Sequence, residues 1–95
     1  VYLDPAERQA ALVLSRALAA TQTAWAAGER DGDHLRAAMH AVLAAEPLAR
    51  PDYVSVADPQ TLAEWATIPP GAGALVSLAV RIGRGTRLID NVVLS

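Results

Sequence analysis

"ALVSLAVRIGRGTRLIDNVVL", residues 74–94, reads as a β-hairpin, and the rest of the chain is organised around it. Two runs rich in Val, Ile and Leu flank Gly83-Arg84-Gly85, which suits a three-residue loop with Gly85 in the left-handed position. That loop sets the pairing. Val80 faces Leu88, Val76 faces Val92 and Ala74 faces Leu94 on one side; on the other, Arg81 faces Arg87, Ala79 faces Ile89, Ser77 faces Asn91 and Leu75 faces Val93. The first set is apolar and should meet the core. Asp90-Asn91 interrupts the second strand with two residue types that strands disfavour. Asn91 falls on the polar side opposite Ser77. Asp90 falls on the core side opposite Leu78, where a buried carboxylate must be paired or accept backbone N–H bonds.

Arg81 opposite Arg87 is unfavourable unless something negative sits nearby. Either Asp58 or Glu64 answers two solvated arginines, or the pair builds a surface that meets an anion.

Upstream, the hydrophobic period is helical. "DPAERQ" at 4–9 is a helix start: Asp4 caps, Pro5 fits the first position and Glu7 closes a capping box. Ala11, Leu14, Leu18, Thr21 and Trp25 follow at spacings of 3, 4, 3 and 4, a single buried stripe. Gln9, Arg16, Thr23 and Arg30 mark a wet face, and Gly28 a C-cap. "DGDH" at 31–34 is a turn, with Asp31 or Asp33 capping a second helix whose stripe is Leu35, Ala38, Met39, Val42 and Leu43 and which Pro47 stops. The short connection makes an antiparallel helical hairpin.

The intervening stretch "PDYVSVADP" at 51–59 alternates, with Val54 and Val56 on one side and Tyr53, Ser55 and Ala57 on the other. The expected elements are helices at about 5–27 and 33–46, a strand at 52–58, a short helical turn at 59–64, the loop "IPPGAG", and strands at 74–82 and 86–94. This is an α+β two-layer domain, order ααβ(α)ββ: a three-stranded antiparallel sheet covered on one face by a helical hairpin.

Composition limits the chemistry. The 95 residues make one domain, and 53% hydrophobic against 19% charged residues exclude a disordered tail. With no Phe, the aromatic burial falls to Trp25, Trp65, Tyr2 and Tyr53. There is no cysteine and no apolar run of about 18 residues, so thiolate metal sites and a spanning helix are absent. No signal-peptide pattern opens the chain, and the expectation is a cytoplasmic location. A net charge of −2 argues against a nucleic-acid partner. Lysine is absent and all eight cations are arginine, which excludes a Walker A or Schiff-base lysine. His34 and His40 are six apart, about 120° around a helix, and form no metal-ligand pair. No serine has a histidine partner in view. The residues by themselves assign no catalytic and no metal position.

Three blocks carry a resemblance: "YLDPAER" at 2–8, "PDYVSVADPQTL" at 51–62 and "RIGRGTRLIDN" at 81–91. Together they resemble the C-terminal domain of the pantothenate synthetase (pantoate–β-alanine ligase) family, across essentially the whole chain. Gly83-Arg84-Gly85-Thr86 looks one residue longer than the family's usual turn. The resemblance implies an enzyme that activates pantoate with ATP and Mg, then joins it to β-alanine. Its histidine motif and lysine-bearing loop belong to an N-terminal nucleotide-binding domain, the implied partner, and neither occurs here. The chain is then expected to be a lid, inactive alone and holding no cofactor, whose Arg81, Arg87 and Asn91 are candidates to face the active site. The alternative is a free-standing interaction module that binds through an exposed stripe on its first helix.

Overall fold

The computed structural model describes residues 3–95; the expected burial of Tyr2 lies outside them. The elements run α1 (Pro5–Ala26), α2 (Gly32–Ala44), β1 (Ala49–Ala57), β2 (Ala74–Ile82) and β3 (Thr86–Leu94). The strands form one antiparallel sheet in the order β1-β2-β3, with the helices on one face.

Helix α1 begins at the Asp4 capping box: Asp4 accepts from the Glu7 N–H at 2.7 Å, and Glu7 accepts from the Asp4 N–H at 3.2 Å. It ends on Gly28, φ 102°, with the Gly28 N–H on the Trp25 carbonyl and the Glu29 N–H on the Ala24 carbonyl. These two bonds make a Schellman cap, which only a residue at ease in the left-handed region closes cheaply. Leu14, Leu18, Thr21 and Trp25 are buried as the stripe requires; Ala10, Val13 and Ala17 widen it, and Ala11 lies at its margin. Arg30 leaves the expected wet face and stacks on the Trp25 ring, 3.5 Å from its centroid. Asp31 is the cap of α2, accepting from the His34 N–H at 3.1 Å. The helix stops at Ala44 rather than 46, because the residue before Pro47 is pushed out of the helical region.

The hairpin pairs as its loop dictates: Val80 with Leu88, Val76 with Val92, Ser77 with Asn91 and Arg81 with Arg87. Ala74, Val76, Leu78, Val80 and Ile82 all face the helices and are buried. Strand β1 starts at Ala49, three residues before the expected Asp52. It tolerates Pro51 because it is an edge strand, where a missing N–H costs no ladder bond.

The helical turn expected at 59–64 is a single α-turn, the Leu62 N–H on the Asp58 carbonyl at 2.8 Å, which closes with Leu62 at φ 64°. The chain then runs back along the outer edge of β1, with the Trp65 N–H on the Val56 carbonyl at 2.8 Å. Asp90 is not buried: it is exposed beside partly buried Leu88 and Val92, and its carboxylate accepts from the Asn91 N–H at 2.8 Å. β3 is the other edge of the sheet, so its covered side is open to water along one flank. A charge on that side discourages another strand from adding to the edge.

The connection from β1 to β2 is pinned under the interhelical loop by Gly32 N–H to Ala66 carbonyl and Ile68 N–H to Arg30 carbonyl, both at 2.8 Å. Ile68 enters the core from it, 2% exposed. A Cβ on Gly32 would collide with the Trp65 carbonyl oxygen. Gly32→Ala should therefore lower the unfolding free energy by about 2–3 kcal/mol, as overpacking does. Urea denaturation would measure this; an unchanged midpoint would show that the two segments can part freely.

Candidate functional site

The helices cover one sheet face and leave the other bare. Across the bare face the register lays out four rows: Arg50, Arg81 and Arg87; then Tyr53, Ala79 and Ile89; then Ser55, Ser77 and Asn91; then Ala57, Leu75 and Val93. Tyr53, Ile89 and Val93 are exposed, and Asn91 lies exposed among them. Tyr53 thus contributes little of the aromatic burial expected of it.

The first row is answered by a residue that alternation alone would misplace. The pairing of β1 shifts between Pro51 and Tyr53, a bulge that leaves Asp52 as an extra residue. A bulge bends the strand and re-aims the side chain it carries. Asp52 Oδ1 accepts from Arg81 Nε at 3.3 Å and Oδ2 from Arg87 Nε at 2.8 Å. One carboxylate on β1 therefore links side chains of all three strands. Neither Asp58 nor Glu64 answers the arginines, and Glu64 instead pairs with Arg36 at 3.0 Å. Among the described residues each arginine uses only its Nε–H in these contacts, and the terminal N–H groups of both forks have no hydrogen-bond partner there.

The Arg87 hydrogen bond, against some desolvation and with the Arg81 charge adding, holds the Asp52 carboxyl below the usual aspartate range. Glu64 is also lowered: burial opposes its charge, but bonds from the Ser55 hydroxyl, the Val56 N–H and Arg36 outweigh that. At the far end of the helical layer His34 Nδ1 lies 2.8 Å from Glu29, which raises the His34 pKa, and His40 is not part of that pair. Among the described residues no helix is long and apolar enough to cross a membrane, and no three Asp, Glu, His or Cys side chains gather to hold a metal.

The structure brings Arg81 and Arg87 together and leaves Asn91 two rows away. Sequence reasoning missed Asp52; the signal for it was Pro51 at the start of an alternating run, a common place for a bulge on an edge strand.

The fold and this face define an α+β module with one sheet face sealed by helices and the other left bare. The chain belongs to the pantoate-beta-alanine ligase family, whose model matches residues 1–93. It is 66% identical over 94 residues to the pantothenate synthetase of Roseiflexus sp. (strain RS-1), a match covering 99% of this chain and 33% of that protein. It is 58% identical over 93 residues to the pantothenate synthetase of Herpetosiphon aurantiacus, again covering 33% of it. The crystal structure of pantothenate synthetase from Thermus thermophilus superposes with a TM-score of 0.83 at 34% identity, covering 96% of this chain and 32% of that one. The chain thus spans about a third of the length of these relatives.

A lowered carboxyl pKa contributes stability above its unfolded value and loses it as pH falls through the folded value. The stability difference between the wild type and Asp52→Asn should therefore be constant above about pH 5, begin to shrink near the ordinary aspartate value of about 3.9 and vanish only below the lowered folded value. Thermal unfolding of both proteins from pH 7 to pH 2 measures this. Parallel curves over that whole range would mean that Asp52 titrates as a free carboxylate.

Proposed function

We propose that this chain is the C-terminal lid domain of an ATP-dependent ligase that condenses pantoate with β-alanine. The observation that carries the reading is the match over nearly the whole chain to one third of such enzymes, in a sequence without lysine. The activating groups then lie on the other two thirds, in an N-terminal nucleotide-binding domain. There the pantoate carboxylate attacks the α-phosphate of ATP, forming pantoyl adenylate and releasing pyrophosphate. The β-alanine amine then attacks the acyl carbon and AMP leaves.

The adenylate is a mixed anhydride that water would hydrolyse. A domain closing over it excludes that water and strengthens the electrostatics inside. This chain's part is to supply the cover and a fixed pair of cations. Asp52 holds Arg81 and Arg87 side by side, and Asn91 adds a neutral hydrogen-bonding group on the same face. Arginines already fixed lose less freedom when they meet an anion. Magnesium accompanies ATP in the complete enzyme; the described residues hold no donor cluster suited to it, and no step is assigned to it on this chain.

A free-standing module binding through its first helix is less well supported, since the α1 stripe is buried against the sheet.

The isolated chain should show no ATP-dependent amide formation in a coupled AMP-release assay. In the complete enzyme, Arg81→Ala and Arg87→Ala should each lower kcat/KM for ATP about tenfold while the melting temperature changes little. Wild-type kinetics in both variants would make these arginines ordinary solvated side chains.

A further inference from the structure

Leu62 is unusual in both backbone and side chain. Its φ of 64° lies in the left-handed region, which a bulky L-residue enters at a cost of about 1 kcal/mol or more. Its side chain is 64% exposed, the most of any large apolar residue described. The loop that carries it is not slack. The Leu62 N–H donates to the Asp58 carbonyl and the Asp58 N–H to the Ala63 carbonyl, each at 2.8 Å, and the Gln60 N–H donates to the Asp58 carboxylate at 2.9 Å. Next along the chain, Glu64 is gripped by Arg36, Ser55 and the Val56 N–H. The left-handed backbone closes this turn, and the side chain it carries is left out in water, where its exposure adds nothing to the core.

Leu62 has company. Ser55 lies on the bare sheet face, and its hydroxyl bonds Glu64, which ties the loop to the β1 edge of that face. Tyr53, Ile89 and Val93 are exposed on the face itself. Three of the six exposed large apolar residues described therefore stand on one surface, and Leu62 stands on the loop along its edge. A patch of this kind on a small domain marks a contact site, and an anchor held rigid before contact loses less entropy on binding.

We propose that Leu62, Tyr53, Ile89 and Val93 form the surface by which this domain docks on the rest of its own enzyme, with Leu62 as a preformed knob that enters an apolar pocket there. The occupant follows from length: the relatives are about three times as long as this chain, so a body twice its size is available to cover the face. Arg81 and Arg87 at one end of the patch supply the polar rim that orients the contact. The inference rests on the reading of this chain as one domain of that ligase, and it assigns the docking energy to apolar anchors where that reading used the charged row.

The test adds this chain to the separately produced complementary two thirds of the enzyme and measures affinity by titration calorimetry. Leu62→Gly is the decisive variant. Glycine accepts the left-handed backbone without a Cβ conflict, so its melting temperature should stay within about 2 °C of wild type or rise. Its affinity should fall about tenfold or more, as truncating an anchor does. Ile89→Ser should behave likewise, whereas Leu12→Ser, exposed on α1 away from this face, should bind as wild type. Wild-type affinity in both Leu62→Gly and Ile89→Ser would overturn the proposal, as would failure of the wild-type chain to bind. So would a self-association seen by sedimentation that Leu62→Gly abolishes, because the occupant would then be a second copy. If docking follows the expected pattern but the assembled complex forms no amide product, the ligase reading fails and the docking surface stands.

Discussion

The Arg36 guanidinium leaves α2 and ends among acceptors from two other stretches, β1 and the connection that follows it. It donates to the Val56 carbonyl of β1 at 3.0 Å, to the Trp65 carbonyl at 2.7 Å and to the Glu64 carboxylate at 3.0 Å, with Asp33 on its own helix taking a further bond. Only 18% of the side chain reaches water. A charge so nearly withdrawn must be saturated, and here each acceptor it satisfies belongs to a segment that would otherwise drift. The connection from β1 to β2 has little apolar periodicity of its own. Arg36 holds its first half against β1, and the close approach at Gly32 holds its second half under the helices. Ile68 can then turn inward and Leu62 outward. Both the sealed core and the bare face depend on where this connection lies.

The bare face owes its character to a second constraint. In a regular strand, Asp52 would have pointed toward the helices, where an unpaired carboxylate is costly. The bulge after Pro51 turns it the other way, onto two arginines that would repel each other without it. The same face thus carries a rigid cationic end and an apolar remainder.

Much of this was legible in the residues. The helix caps at Asp4 and Asp31, the α1 stripe from Leu14 to Trp25 and the full register of the β2–β3 hairpin all follow from local rules: cap chemistry, a 3.6-residue period and the length of a glycine-flanked loop. The family was legible too, not from these rules but from the resemblance carried by the blocks at 2–8, 51–62 and 81–91. Asp52, Ile68, Leu62 and the exposure of Asp90 were not legible. An isolated Ile beside two prolines has no period to betray its burial, and a bulge moves a side chain across the sheet without altering the apolar pattern around it.

Taken alone, the sequence determined the order ααβ(α)ββ, whose bracketed turn is a single α-turn in the structure, together with the helix starts and the hairpin pairing, because each is decided by neighbours within about four residues or across one tight turn. Only the tertiary structure decided which acid answers Arg81 and Arg87, which loop residue enters the core and which apolar side chains stay in water. Those outcomes depend on backbones that pass one another after long separations in the chain, Trp65 beside Gly32 and Asp52 beside Arg87, and no local preference encodes such a meeting.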